Sequence, residues 1–151
     1  MDIRAGDRIT AETLAPLTAT EARYSAAAQT VTAFSLTNIA FETAVWTTAL
    51  VTPDATGKLF TLNKAGLWYF NVNIRYPNGT ASGAGNDLLR VVNSAKTETY
   101  GDDLWPVDEH YMHVITEYRV DAGTVVVVDT NRQATADPSV SGHFSLRWIK
   151  D

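Results

Sequence analysis

Residues 57–76 read GKLFTLNKAGLWYFNVNIRY, and the last ten of them decide the fold. Trp68, Phe70, Val72, Ile74 and Tyr76 fall on one side of an extended chain; Leu67, Tyr69, Asn71, Asn73 and Arg75 fall on the other. Strand side chains alternate with a period of two, so this pattern predicts a long β-strand with one large apolar face. Pro77-Asn78-Gly79 then stops it with turn-forming residues. Upstream, Gly57 and Gly66 flank a short strand, where a residue without Cβ permits backbone angles closed to others.

The same reading extends in both directions. Phe144, Leu146 and Trp148 alternate with Ser145, Arg147 and Ile149, and Val114, Thr116, Tyr118 and Val120 alternate with Ile115, Glu117 and Arg119. Asp121-Ala122-Gly123 forms a tight turn into residues 124–129, whose four consecutive valines predict burial on both faces. Shorter strands are expected over 22–25, 29–33, 40–43, 59–62, 88–92 and 97–100, with loops at 78–86 and 134–141. Short strands at this spacing, with no sustained helical period, predict an all-β sandwich or barrel over residues 22–151. Residues 1–21 read differently: few large apolar side chains, no alternation, and a helical turn capped by Thr10 at most. They are expected to form a short N-terminal arm that lies against the domain or a neighbouring subunit.

At 151 residues the chain fits one domain, since domains take roughly 100–200 residues. It has no cysteine, which excludes disulfides, zinc–thiolate sites and thiol nucleophiles. The 12 basic and 17 acidic residues give a net charge of −5. The basic residues are scattered singly, so no cluster exists to collect phosphates and nucleic acid is not an expected partner. No apolar run near the start could serve as a signal-peptide core or a membrane span. The expectation is a protein without a membrane partner that stays on the cytoplasmic side until lysis or dedicated secretion releases it. Arg outnumbers Lys, and Ala and Thr are abundant, a usage that suits a high-GC bacterial or phage genome.

Two stretches carry resemblances. FETAVWTTALVTPDATGKLFTLNKAGLWYFNVNIRY (41–76) resembles the globular-head jelly roll of complement- and tumour-necrosis-factor-like proteins. The matching features are Phe41, Gly57-Lys58-Leu59-Phe60, Gly66 and the aromatic run Leu67-Trp68-Tyr69-Phe70. YRVDAGTVVVV (118–128) looks like that family's penultimate hairpin and GHFSLRWI (142–149) like its closing strand. The resemblance implies a jelly-roll β-sandwich of two antiparallel sheets that works as a homotrimer, with Tyr69, Tyr118 or Trp148 as candidates to face a neighbour. RAGDRITAETL (4–14) looks like the opening of short structural proteins of phages that infect actinobacteria. That implies a virion protein fixed to the capsid or tail by its arm, with Arg4, Asp7, Arg8, Ile9 and Leu14 as anchoring residues. Virion proteins assemble in the host cytoplasm and leave by lysis, so they need neither signal peptide nor disulfides. Residues 1–21 carry no coiled-coil or collagen-like pattern, so trimerisation by a stalk is not expected.

The densest polar and aromatic cluster is YGDDLWPVDEHYMH (100–113), read as an acidic loop. Trp105 and Tyr111 beside Asp103 and Glu109 suit sugar stacking and hydrogen bonding, and so a glycan on a host surface. Asp102, Asp103, Asp108 and Glu109 would also serve as calcium ligands or a glycosidase acid pair, but no calcium-loop spacing accompanies them. His110 and His113 would point to opposite faces of a strand and cannot share one metal. No G-x-S-x-G elbow marks a serine nucleophile, and Asn78-Gly79-Thr80 is a turn rather than a used sequon. The leading expectation is a non-enzymatic structural virion protein without cofactor or metal, either capsid decoration or the head of a minor tail protein or fibre. The alternatives are a lectin-like host-binding module and a glycan depolymerase.

Overall fold

The computed structural model describes residues 19–76, 86–106, 111–133 and 138–151, with Asn86, Trp105 and Pro106 by backbone alone. The strands are β1 (Glu21–Thr30), β2 (Thr37–Asn38), β3 (Thr43–Trp46), β4 (Val51–Pro53), β5 (Phe60–Leu62), β6 (Gly66–Arg75), β7 (Asn86–Asn93), β8 (Thr99–Pro106), β9 (Tyr111–Val120), β10 (Thr124–Asn131) and β11 (Ser139–Lys150). They form two antiparallel sheets, ordered β3-β1-β11-β6-β9 and β4-β5-β10-β7-β8, with β2 paired to β10. This is the all-β jelly-roll sandwich expected from the sequence.

The apolar side of β6 builds the core. Trp68, Phe70, Val72, Ile74 and Tyr76 are fully buried, and they face Phe60, Leu62, Leu89, Val91, Val126 and Val128 of the second sheet. Phe144 links the layers: its ring lies 5.3 Å from Phe60, edge to face, and 5.6 Å from Phe41. Such offset and edge-on geometries are what aromatic quadrupoles favour. Val126 and Val128 enter this core while Val127 is buried on the opposite side, across from Val92. There Asp129 is fully buried too, its carboxylate accepting from Arg90 Nε at 2.9 Å and Nη2 at 2.8 Å, with Lys96 Nζ 3.2 Å away.

The two glycines of the opening stretch have concrete causes. Gly57 has φ 64°, and a Cβ there would stand 2.8 Å from the Phe41 carbonyl oxygen, whose own amide donates to Gly57 O at 2.7 Å. Asp54 organises that turn. Its carboxylate accepts from the Thr56 hydroxyl (2.6 Å) and from the backbone amides of Lys58 and Leu59 (2.9 Å each). Against a burial penalty that raises it, these donors hold the Asp54 carboxyl below its usual value. Gly66, at φ 129°, lets the start of β6 pass under the closing strand, where a Cβ would meet the Lys150 carbonyl and lie 2.8 Å from Trp148 Nε1.

Some boundaries differ from the sequence reading. Residues 29–33 do not form a separate strand, because β1 runs on to Thr30 through a bulge between Ala26 and Gln29. Residues 40–42 lie between strands: Phe41 is buried as packing, and pairing starts at Thr43. The acidic stretch 100–113 is mostly strand, since β8 runs to Pro106 and β9 begins at Tyr111. Its charges read as loop because β8 and β9 are the edge strands of their sheets, with a side open to solvent. Likewise β11 begins at Ser139, inside the expected loop 134–141.

Candidate binding surfaces

The anchoring candidates Arg4, Asp7, Arg8, Ile9 and Leu14 lie outside the described residues, as do Asp108, Glu109 and His110. Trp105 is placed by its backbone alone, opposite Asp87 in the β7–β8 ladder. The arm is described only from residue 19, where the Thr48 hydroxyl donates to the Ala19 carbonyl at 2.6 Å.

The outward face of the first sheet is defined by register. Three cross-strand rows follow one another: Arg147, Tyr69 and Glu117; Ser145, Asn71 and Ile115; His143, Asn73 and His113. A fourth row, Ser141, Arg75 and Tyr111, closes this end of the sheet. Glu21 and Arg23 of β1 extend the first two rows. Aromatic rings here carry cations: the Arg147 guanidinium lies 4.9 Å from the Tyr69 ring centre, and that of Arg23 lies 5.4 Å from Trp46. Ile115, on the edge strand β9 where this face meets the seam with β8, is 59 % exposed.

A different surface runs along the seam between edge strands β8 and β9. Gly101, Asp102, Asp103, His113, Val114, Ile115 and Thr116 line a cleft of about 380 Å³ there. Tyr118 and Tyr100 stand farther along it, ring centres 4.8 Å apart, with the Tyr118 hydroxyl donating to Glu98 at 2.8 Å. Burial, and then the Glu98 charge, push the Tyr100 phenol up to about 12. The pair expected to share one loop is therefore split: Asp103 belongs to this seam, whereas Tyr111 lines a recess with Arg75 on the sheet face.

The three trimer candidates do not share one face. Tyr69 is on the outward face, whereas Tyr118 and Trp148 share one cross-strand row on the other face, on either side of buried Trp68, with Tyr118 reaching the seam. The Trp148 indole donates to Ala65 O at 3.0 Å, and Lys64 Nζ lies 3.5 Å from its ring centre. His113 and His143 flank Asn73 from strands on either side. Among the described residues no group of three or more metal-ligating side chains converges.

One cluster escaped the sequence reading. Where β6 and β10 end and β7 begins, Arg132 pairs with Asp87 in the interior, and Asp87 also accepts from the Gln133 amide at 2.8 Å. The Arg132 guanidinium lies 4.5 Å from the Tyr76 ring centre, and the Tyr76 and Thr130 hydroxyls share a short hydrogen bond. Burial raises the Asp87 carboxyl, with the Gln133 amide and Arg132 offsetting part of that, and burial pushes the Tyr76 phenol up to about 12. The cluster ties together the ends of β6, β7 and β10. Its members are single charges about 45 residues apart, and nothing local in the sequence marks them as partners.

No protein-family model and no curated protein matches the chain. Solved structures do. The globular domain of zebrafish complement 1qA is 15% identical with a TM-score of 0.58, covering 87% of this chain and 99% of that one. Murine APRIL at pH 8.5 is 10% identical with a TM-score of 0.60, covering 85% and 99%. Pika GITRL is 12% identical with a TM-score of 0.51, covering 87% and 98%. At these identities the likeness is one of fold: this chain has the globular jelly roll of complement and tumour-necrosis-factor-like domains.

Proposed function

We propose that this protein is a self-assembling, non-enzymatic jelly-roll subunit of a bacteriophage virion, a homotrimer held on the particle by its N-terminal arm. The observation that carries the assembly reading is a charge complementarity between two surfaces of one subunit. The seam edge presents Glu98, Asp102 and Asp103, while the outward face of the first sheet presents Arg23, Arg119 and Arg147 against Glu21 and Glu117. Unlike surfaces that fit each other make a head-to-tail contact, which closes into a ring when the rotation allows. The contact runs over the rows from Tyr69 to Ile115, with Tyr118 contributed from the seam of the neighbour. A trimer is the closure that the complement-like resemblance implies.

The virion setting rests on the Arg4–Leu14 resemblance and on a chain with no cysteine. Capsid decoration and a tail or fibre head are both served by this design, and the partners are then other capsid or tail proteins. Deletion of residues 1–20 tests the arm: particles should lose the protein while the purified domain stays folded and keeps its oligomeric state. Particle attachment at wild-type levels after the deletion would overturn the anchoring role.

A further inference from the structure

We infer that the recess around Arg75 and Tyr111 binds a sugar bearing a carboxylate, such as a uronic acid unit of a cell-surface polymer. This goes beyond the assembly reading and does not depend on it. The recess holds about 300 Å³ and is lined by Ala26, Asn73, Ile74, Arg75, Tyr111, Ser141, Gly142 and His143. That is the low end of the range of ligand pockets, about 300–1,000 Å³, and suits a single ring rather than an extended chain.

Register assembles the site. Ser141, Arg75 and Tyr111 stand directly opposite one another on β11, β6 and β9, so they span about 10 Å at a strand spacing of about 4.8 Å. His143 and Asn73 form the next row. The β1 bulge between Ala26 and Gln29 interrupts the ladder beside Gly142, at the border of the recess.

The chemistry of the lining selects the ligand. Arg75 is the one fixed charge in it, and a guanidinium fork matches a carboxylate through two parallel hydrogen bonds. Its carbon lies 5.5 Å from the Tyr111 ring centre, and that ring is 55 % exposed. Cation and aromatic surface are thus offered side by side, as a charged sugar with an apolar ring face requires. A hydroxyl, an amide and an imidazole from Ser141, Asn73 and His143 supply neutral donors and acceptors for ring hydroxyls. A bare carboxylate from a protein side chain would use Arg75 and leave the ring and these groups idle.

The test is an NMR titration of the full-length protein with glucuronate, glucose and acetate, alongside sedimentation of each variant. Glucuronate should give saturable shifts at Arg75, Tyr111, Ser141 and His143, with glucose and acetate each weaker by about tenfold or more, the usual loss when a charged hydrogen-bonded partner goes missing. Arg75→Gln should abolish the response, and Arg75→Lys, which keeps the charge but not the fork, should weaken it. Equal affinity for glucuronate and glucose would overturn the proposal, as would acetate binding as tightly as glucuronate. An Arg75→Gln change in oligomeric state without any glucuronate response would instead assign the recess to a neighbour's carboxylate. A trimer indifferent to glucuronate would overturn the sugar site and leave the assembly reading standing.

Discussion

Gly57 and Asp54 show how much of this fold is set by single residues. With φ 64° and the Phe41 carbonyl in the way of any Cβ, Gly57→Ala should destabilise the protein by at least about 1–2 kcal/mol in urea unfolding, the cost of a left-handed non-glycine residue. A change under about 0.5 kcal/mol, within the range of ordinary surface substitutions, would mean the turn is not constrained. Asp54 has a folded value below its ordinary one, so its stabilisation is present at neutral pH and is lost as pH falls through that lowered value. Asp54→Asn should therefore cost stability at pH 7 and progressively less below about pH 4. Asp87 has the opposite sign: its raised value favours the fold below the carboxylate range, and that contribution is lost as pH rises through it. Removing its partner exposes the sign directly. Arg132→Met should cost about 3–5 kcal/mol at neutral pH, the usual result of stranding a buried charge, and markedly less near pH 4. The role of Gly57 was legible in the sequence because a backbone angle is local. The Asp87–Arg132 pair was not, because only the folded sheet brings residues from β7 and the end of β10 together.

At the scale of the element, β6 carries the most. It pairs with β11 on one side and β9 on the other, and each of its even-numbered residues from Trp68 to Ile74 is fully buried. Phe70→Ala should cost about 3–5 kcal/mol, whereas Asn71→Ala on the outward side should be nearly neutral in a denaturation series; equal losses would contradict the assigned faces. Central strands were legible because burial on one face forces strict alternation. Edge strands were harder. In β8, Asp102 opposite Arg90 and Asp103 opposite Leu89 are paired to β7 on one side only, so the polar residues that keep such an edge open resemble those of a loop. The same effect hid the start of β9, and with it the neighbourhood of Tyr111. In the sequence Tyr111 stands among carboxylates of its own stretch, whereas the ladder sets it opposite Arg75, 36 residues earlier in the chain.

For the whole molecule, the sandwich was legible and its working surfaces were only partly so. The strands follow from alternation and turn chemistry, but which residues share an outer surface depends on register, which sets Tyr118 and Trp148 in one row on either side of buried Trp68 and leaves Tyr69 on the opposite face. In the proposed assembly two unlike surfaces meet, the acidic seam of one subunit and the arginine-bearing sheet face of the next. Ile115, exposed on edge strand β9 where that face meets the seam, should be insensitive to substitution in the isolated fold and sensitive in the oligomer. Sedimentation of the wild-type 16.5 kDa chain and of Ile115→Asp over a concentration series tests this most directly. A single wild-type species of three times the chain mass, with the Ile115→Asp variant folded but monomeric, is the expected result; a wild-type chain that stays monomeric at every concentration would contradict it.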